Sequence, residues 1–435
     1  MRRIPRARSV LAGLLAVTTA LTLTACSSDP GANQELSDKP VTLRFTWWGS
    51  DARTARTQQV IELFQKSHPN ITVKGEFKEW NGYWDSLATT VAANDAPDII
   101  QMDELYLASY AERGALLDLA TASERLKTAD FDKVTLATGA IDGKQYGLPT
   151  GVAAYSVVAN TDLLTKYGVA LPDDTKWTWA DLKKLGADVS KASGGKVAGI
   201  QSWGFDTGGL NVWARQHGAS LYDQSGKVVI PVDVLADFWT YLADLAKSGV
   251  APPPSVTVEK GNAGLDQSAM ATNTAAFGTW WNTQLPSVSA ASGETLKLLR
   301  LPGEAQAPAK GSYLKPSMFW SISARSKHPA EAALFTDFLA NDPQAAKILL
   351  TDRGIPANAK MREAIKGQLK DADAAAATYL DEIKVGEAPR VTPNGASNIE
   401  AILKRHTENV LFGRATPQAA AASFIKELQS EIDAA

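Results

Sequence analysis

Aromatic plates and planar hydrogen-bonding groups, set where strand-like runs stop, are the residues of this 435-residue chain with the most chemistry to offer. Twelve tryptophans stand at positions 47, 48, 80, 84, 177, 179, 203, 213, 239, 280, 281 and 320. Several lie beside Gly, Asn or Asp, so they cannot all be core. An indole offers a broad, rigid apolar face at small entropic cost. Asp, Asn and Arg make paired hydrogen bonds to hydroxyls or charged groups. That combination grips a molecule without breaking bonds in it. The signatures of bond-breaking are missing. His68, His217, His328 and His406 lie far apart, and the one cysteine, Cys26, has neither a histidine partner nor a metal-ligand spacing. No phosphate-loop lysine pattern, dinucleotide glycine fingerprint or nucleophile-elbow serine occurs. No metal or cofactor is implied.

The chain starts with Arg2, Arg3, Arg6 and Arg8, then an apolar run from Val10 to Leu23 that ends in Leu23-Thr24-Ala25-Cys26. A cationic start, a short apolar centre and small residues before a cut describe an export signal over 1–25, too short for a spanning helix. The arrangement around Cys26 resembles the bacterial lipobox, which implies acylation of the Cys26 thiol. Residues 26–40 then read as the lipidated cysteine and a flexible tether containing Pro30 and Gly31. The expectation is a protein anchored by lipid on the outer side of the cell membrane. Without the four signal arginines, 40 basic residues face 47 acidic ones, a net charge of −7. That balance argues against a nucleic-acid partner. A lone cysteine leaves no disulfide, so the core alone must hold the fold. From Cys26 on the length calls for about two or three domains.

The elements that would position these groups alternate. Val41-Leu43-Phe45-Trp47 point one way along a strand that breaks at Gly49. Ser50 or Asp51 opens a helix with Val60, Ile61 and Phe64 at helical spacing, stopped by His68-Pro69. Ile71-Val73 with Phe77 and Asp98-Ile99-Ile100 make two more strands, and a helix from about Leu105 to Arg113 ends at Gly114. This is an α/β order with a mainly parallel sheet, and ligands of such sheets bind beyond the strands' carboxyl ends. Those ends are Trp48 to Asp51 and Met102 to Glu104. Val152 to Val158 reads as one further strand. Thr178 through Asp181 forms a capping box, and Pro231 opens a helix burying Leu235, Phe238, Trp239, Leu242 and Leu245. The stretch Pro302 to Pro316 looks like a passage between units. Helices follow, from Pro329 to Leu339, after Asp342-Pro343 and after Thr416-Pro417.

In this order the pieces resemble the family-1 extracellular solute-binding proteins, the lipid-anchored sugar-binding subunits of bacterial ABC importers. They are Phe45-Thr46-Trp47-Trp48-Gly49, Phe64 through Pro69, Tyr83-Trp84, Ala96-Pro97-Asp98-Ile99-Ile100, Gly143 through Pro149, Trp177-Thr178-Trp179, Gly278-Thr279-Trp280-Trp281 and Gly354-Ile355-Pro356. One departure is Val158-Ala159-Asn160, where the family often has a tyrosine before the asparagine. The resemblance implies a two-lobed periplasmic-binding-protein-like fold of type II, each lobe a mainly parallel sheet flanked by helices, joined by a hinge. The N-terminal lobe would hold 41–150 plus 317–365, and the C-terminal lobe 151–316 plus 366–435. It also implies a sugar or oligosaccharide ligand, ABC permease subunits as partners, and a monomer that is no enzyme.

A pyranose has a face of C–H bonds and a rim of hydroxyls, which suits an indole plate with polar partners around it. The expected ligand contacts are Trp48, Ser50, Asp51, Tyr83, Trp84, Asp103, Trp203, Trp213, Arg215, Trp280, Trp281, Asn282, Trp320 and Arg353. Trp47 and Trp239 follow the apolar period and are expected in the core. Trp177 and Trp179 flank a helix cap and staple it. Trp80 lies in a polar stretch and is left out. Adjacent residues of extended chain point opposite ways, so one of Trp280 and Trp281 is expected to face the cleft, with Trp280 preferred. Asp51 either caps its helix or reaches the ligand. The rival class is a secreted glycoside hydrolase, which needs two opposed carboxyls at ~5–10 Å. Asp51, Asp103, Glu104 and Asp206 are its candidates. A binding protein for a non-sugar solute, or a sensory or adhesive lipoprotein, would use the same fold.

Overall fold

Alternating side chains build the first strand, β1 (Val41–Trp48), whose Val41, Leu43, Phe45 and Trp47 are buried. The structure, a computed structural model, describes residues 35–435 apart from Ser50, Glu79 and Asp132. The expected export signal, Cys26 and the contact at Ser50 lie outside the described residues. β1 pairs in parallel with β2 (Ile71–Lys78) and β3 (Ile99–Met102). The helix Asp51–Ser67 connects the first two and buries Val60, Ile61 and Phe64 completely, as their spacing requires.

A two-residue hairpin, β4 (Ala140–Ile141) and β5 (Lys144–Gln145), precedes β6 (Leu148–Ala153), which joins the first sheet. The second sheet is built from β7 (Tyr155–Asn160), β8 (Ala198–Ile200), β9 (Ala275–Trp281) and β10 (Leu296–Leu299), in the order β10-β7-β9-β8. The chain then returns, and β11 (Lys315–Ile322) and β12 (Ile355–Pro356) complete the first sheet as β12-β6-β11-β3-β1-β2. Each sheet has its own core. Phe45, Trp47, Phe64, Trp320 and Phe335 pack about the first, and Val157, Phe238, Trp239, Phe277 and Phe424 about the second. Each such side chain, fully buried, contributes about 1.5–3 kcal/mol. The fold is thus two-lobed α/β.

Two details differ from the sequence reading. Only β1–β2 and β1–β3 in the first sheet and β8–β9 in the second are parallel; the other pairings are antiparallel. Both sheets are mixed because β6, β7 and β11, at the passages between lobes, run against their neighbours. The apolar run Val152 to Val158 is not one strand either. It divides at Ala154 into β6 and β7, which belong to different sheets. Apolar residues buried on both sides of the break hide it from any periodicity argument.

Helix signals fared better. Thr178 and Asp181 form the expected capping box of the helix Trp179–Ala192. The helix Val232–Lys247 buries Leu235, Phe238, Trp239, Leu242 and Leu245. Asp342 and Thr416 cap helices that begin at Pro343 and Pro417. No helix of the described residues is long and apolar enough to cross a membrane.

Candidate functional site

The first lobe ends β1 and β3 in an aromatic wall. Trp48, buried at 8% exposure, meets the ring of Trp80 edge-on at 5.0 Å and that of Trp84 at 5.6 Å. Trp84 stacks on Tyr106 at 4.0 Å. Trp80, which the sequence reading left out, starts the helix Trp80–Ala92 and keeps 37% of its surface exposed. Polar groups fix this wall from behind. The Trp48 carbonyl accepts from Arg53 Nη1 at 3.1 Å and from Gln101 Nε2 at 3.3 Å. Gln101 Oε1 in turn accepts from Arg353 Nε at 2.9 Å. Asp103 follows β3 and caps the helix Glu104–Glu112 by accepting the Leu105 N–H at 3.0 Å.

The second lobe offers a cavity of about 330 Å³ beyond the carboxyl ends of β8 and β9. Gln201, Ser202, Trp203 and Asp206 line it from the β8 side, Thr279 and Trp280 from β9, and Tyr155 and Glu400 close it. Ser202 Oγ and Trp280 Nε1 are buried without a hydrogen-bond partner among the described residues. Trp203 lies over Trp179 at 5.3 Å. Asp206 caps the helix Thr207–Gln216 through the Gly208 N–H at 2.6 Å. A Cβ on Gly208 would stand 2.3 Å from Trp281 Cζ2, and one on Gly209 2.5 Å from Trp203 Cδ1. Glycine is what lets this helix start come up against both indoles.

Trp280 and Trp281 diverge as extended chain demands. Trp280 lines the cavity, while Trp281 meets Tyr155 at 5.0 Å and has Lys315 Nζ 5.7 Å from its ring centroid. Lys315 also pairs with Glu104 at 3.7 Å. Burial opposes the Lys315 charge, but Glu104, Asp103, Asp206 and Glu400 together raise its pKa. Burial likewise raises Glu104 and Asp206, with Lys315 pulling each back only in part. The Glu400 carboxyl is pushed up to about 7, first by the cleft walls that shield it and then by Asp206. Acids from both lobes therefore share one field.

The structure does not bring every expected contact to this place. Tyr83 is 1% exposed and donates its hydroxyl proton to the Gln101 carbonyl at 2.6 Å. Trp213 packs in the second-lobe core, stacked on His217. Trp320 lies in the first-lobe core under the Arg353 guanidinium at 5.0 Å. Arg353 is itself buried, donating to Gln101, Thr57 and Asp352. Asn282 is wholly buried, its amide spent on the backbone of Ala154 and Ala376. In this structure those five side chains lie in the interior, away from the cavity and the exposed ring of Trp80. Arg215 lines a small pocket with Glu104, donates to the Lys310 and Glu387 carbonyls, and covers Tyr313 at 5.4 Å. Asp51 stands exposed in the first turn of its helix.

Lys315, Glu400, Gln201, Ser202, Tyr155, Trp80 and Tyr106 were not anticipated as contacts. Asp206 and Glu104 were weighed only as acids of the rival hydrolase. The rule about carboxyl ends points away from Lys315 and Tyr155, which open antiparallel strands, yet these strand starts reach the same edge. Gln201 and Ser202 follow β8 directly and were within reach of that rule.

Residues 59–378 match the family described as bacterial extracellular solute-binding protein. Among solved structures, the fold is similar to an extracellular solute-binding protein of family 1 from Alicyclobacillus acidocaldarius, at 31% identity and a TM-score of 0.73, covering 91% of this chain and 99% of that one. The chain is also 30% identical over 115 residues to the diacetylchitobiose binding protein DasA of Streptomyces coelicolor, 26% of this chain and 27% of that protein. It is 29% identical over 168 residues to an uncharacterized lipoprotein of Streptomyces antibioticus, 38% of this chain and 36% of that one. The matched stretches span from about a quarter to just under half of the length of the curated relatives.

Proposed function

The chain belongs to the bacterial extracellular solute-binding proteins, and from that premise we propose that it captures a sugar or oligosaccharide between its lobes and delivers it to an ABC permease. The observation that carries this reading is a pair of indole surfaces at one sheet edge of each lobe, Trp48 with Trp80 and Trp84 on one side, Trp280 with Trp203 on the other. Flat C–H faces pack on such rings, while Gln201, Ser202, Asp206 and Glu400 meet the hydroxyl rim. A ligand touching both walls favours a closed form over an open one by its differential affinity, through motion at the passages near Ala154, Lys315 and the segment before the helix Asp371–Glu382. ATP hydrolysis falls to a separate subunit, since this chain has no phosphate-loop pattern. A lipid on Cys26 would hold the protein at the outer face of the membrane.

Calorimetry with a panel of neutral and charged disaccharides and oligosaccharides tests the reading. Stoichiometric binding without cleavage products, abolished by Trp280→Ala in a protein that still melts cooperatively, is the expected result. Turnover of the sugar, or no binding anywhere in the panel, overturns it.

A further inference from the structure

The carbonyl of Trp48, the last residue of β1, lies on a closed ring of hydrogen bonds. Gln101 Nε2 donates to it at 3.3 Å, and Gln101 Oε1 accepts from Arg353 Nε at 2.9 Å. Arg353 Nη1 donates to Asp352 Oδ2 at 3.1 Å, and the same oxygen accepts from Arg53 Nε at 3.0 Å. Arg53 Nη1 then returns to the Trp48 carbonyl at 3.1 Å. The ring draws on β1, β3, the helix Asp51–Ser67 and the turn before β12, so no single element holds it. Gln101 is fully buried, and Arg353 keeps 4% of its surface exposed. Charges taken out of water are costly, and apolar side chains of the same volume often stabilise a core as well. Stability is therefore a poor account of this ring, and geometry is a better one. A guanidinium only donates and a backbone carbonyl only accepts, so between them the Gln101 amide has one workable orientation. Arg353 decides which end of Gln101 faces Trp48. It is itself pinned at both ends: Nη2 donates to Thr57 Oγ1 at 2.8 Å, and its carbonyl accepts from Thr150 Oγ1 at 3.1 Å and from Ser317 Oγ.

The ring reaches the surface through the indoles. Trp48 meets Trp80 edge-on at 5.0 Å, and Trp80 is the exposed plate of the wall. The Gln101 carbonyl meanwhile accepts from the Tyr83 hydroxyl at 2.6 Å, and the Tyr83 ring packs on Trp48 at 5.3 Å. We infer that Gln101 and Arg353 are positioning residues for the saccharide: neither touches it, and together they set the angle at which Trp48 presents Trp80 to a sugar face. This rests on the sugar-binding reading and names what makes its first-lobe wall rigid. A plate already held still loses little freedom when a solute packs on it, which favours binding.

Gln101→Glu in the full mature protein separates positioning from support. A carboxylate still accepts from Arg353, and its charge balances the second guanidinium, so a merely structural role is preserved. It has no proton to donate to the Trp48 carbonyl and turns an oxygen toward it instead. The variant is expected to melt cooperatively at or above the parent's temperature, yet with an altered near-ultraviolet circular dichroism band from the coupled indoles. In a Trp48→Phe background the same substitution changes the spectrum no further. The saccharide that binds the parent in the calorimetric panel binds Gln101→Glu at least about fivefold more weakly, and that loss also vanishes behind Trp48→Phe. Arg353→Lys keeps the charge but not the planar fork; it gives both changes in smaller measure and decides the matter if Gln101→Glu does not fold. An unchanged spectrum, an unchanged affinity, or equal effects with and without the Trp48 ring overturn the inference and leave the sugar reading standing. No saccharide binding to the parent overturns the sugar reading, and the spectra then still decide whether Gln101 holds Trp48.

Discussion

Asn282 clamps Ala154 at the point where the chain leaves one lobe for the other. The Ala154 N–H donates to Asn282 Oδ1 at 2.8 Å, and the Asn282 N–H donates to the Ala154 carbonyl at 2.9 Å. The remaining amide hydrogens reach the Ala376 carbonyl at 2.8 Å, in the helix Asp371–Glu382 that follows the last passage. One side chain thus joins two of the chain's passages. Asn282→Ala strands the buried Ala154 N–H and is expected to cost about 1–3 kcal/mol. Urea denaturation measures it, and a loss below about 1 kcal/mol would show that water or the backbone replaces the clamp.

Gly208→Ala drives a methyl group into Trp281, 2.3 Å away. The indole must shift, at about 1–3 kcal/mol of overpacking. Affinity for the best saccharide should fall, with a changed near-ultraviolet circular dichroism band. A normal affinity would mean that the Trp281 ring is not needed where it stands.

Trp80 and Trp320 make a contrast. Trp80→Ala removes an exposed ring and should leave the melting temperature nearly unchanged while weakening saccharide binding. Trp320→Ala opens a hole in the first-lobe core beneath Arg353 and should cost about 3–5 kcal/mol. Paired melting and binding curves distinguish the two roles, and the opposite pattern would exchange them.

Glu400 predicts a pH dependence with a definite sign. Its carboxyl titrates at about 7 when folded, against 4.5 for the ordinary group, so the folded state holds the proton longer. Its contribution is most favourable below 4.5 and is lost as pH climbs through 7. Glu400→Gln should therefore melt higher than the parent at pH 7.5 and no higher at pH 4. A constant difference at both values would remove the charge argument.

Cys26→Ser tests the proposed anchor. The altered protein should leave the membrane fraction for the medium or periplasm, while retaining saccharide affinity. Continued membrane association would exclude acylation as what holds it.

Legibility followed the kind of signal. Period and caps carried β1, the helix Asp51–Ser67 and the helix Val232–Lys247, because each buries a single face. The break at Ala154 was invisible because Val152 to Val158 are buried on both sides of it. At the candidate site, strand ends directed attention to Trp48 and Asp103, and adjacency to Trp280 and Trp281. Lys315 and Glu400 carry no local mark. One opens a strand running against β3 and the other starts the helix Ile399–Leu411, and both gain meaning only from acids far away in the sequence, Asp206 and Glu104 among them. Arg353 and Asn282 looked like ligand contacts for a simple reason: side chains that hydrogen-bond sugars serve a buried backbone equally well.

Lys315 opens β11 immediately after the return passage, at the edge where the first sheet faces the second lobe. Its ammonium pairs with Glu104 at 3.7 Å on one side and stands 5.7 Å from the Trp281 ring on the other. One cation thus spans the seam, so removing its charge would be felt by an acid of the first wall and an indole of the second together.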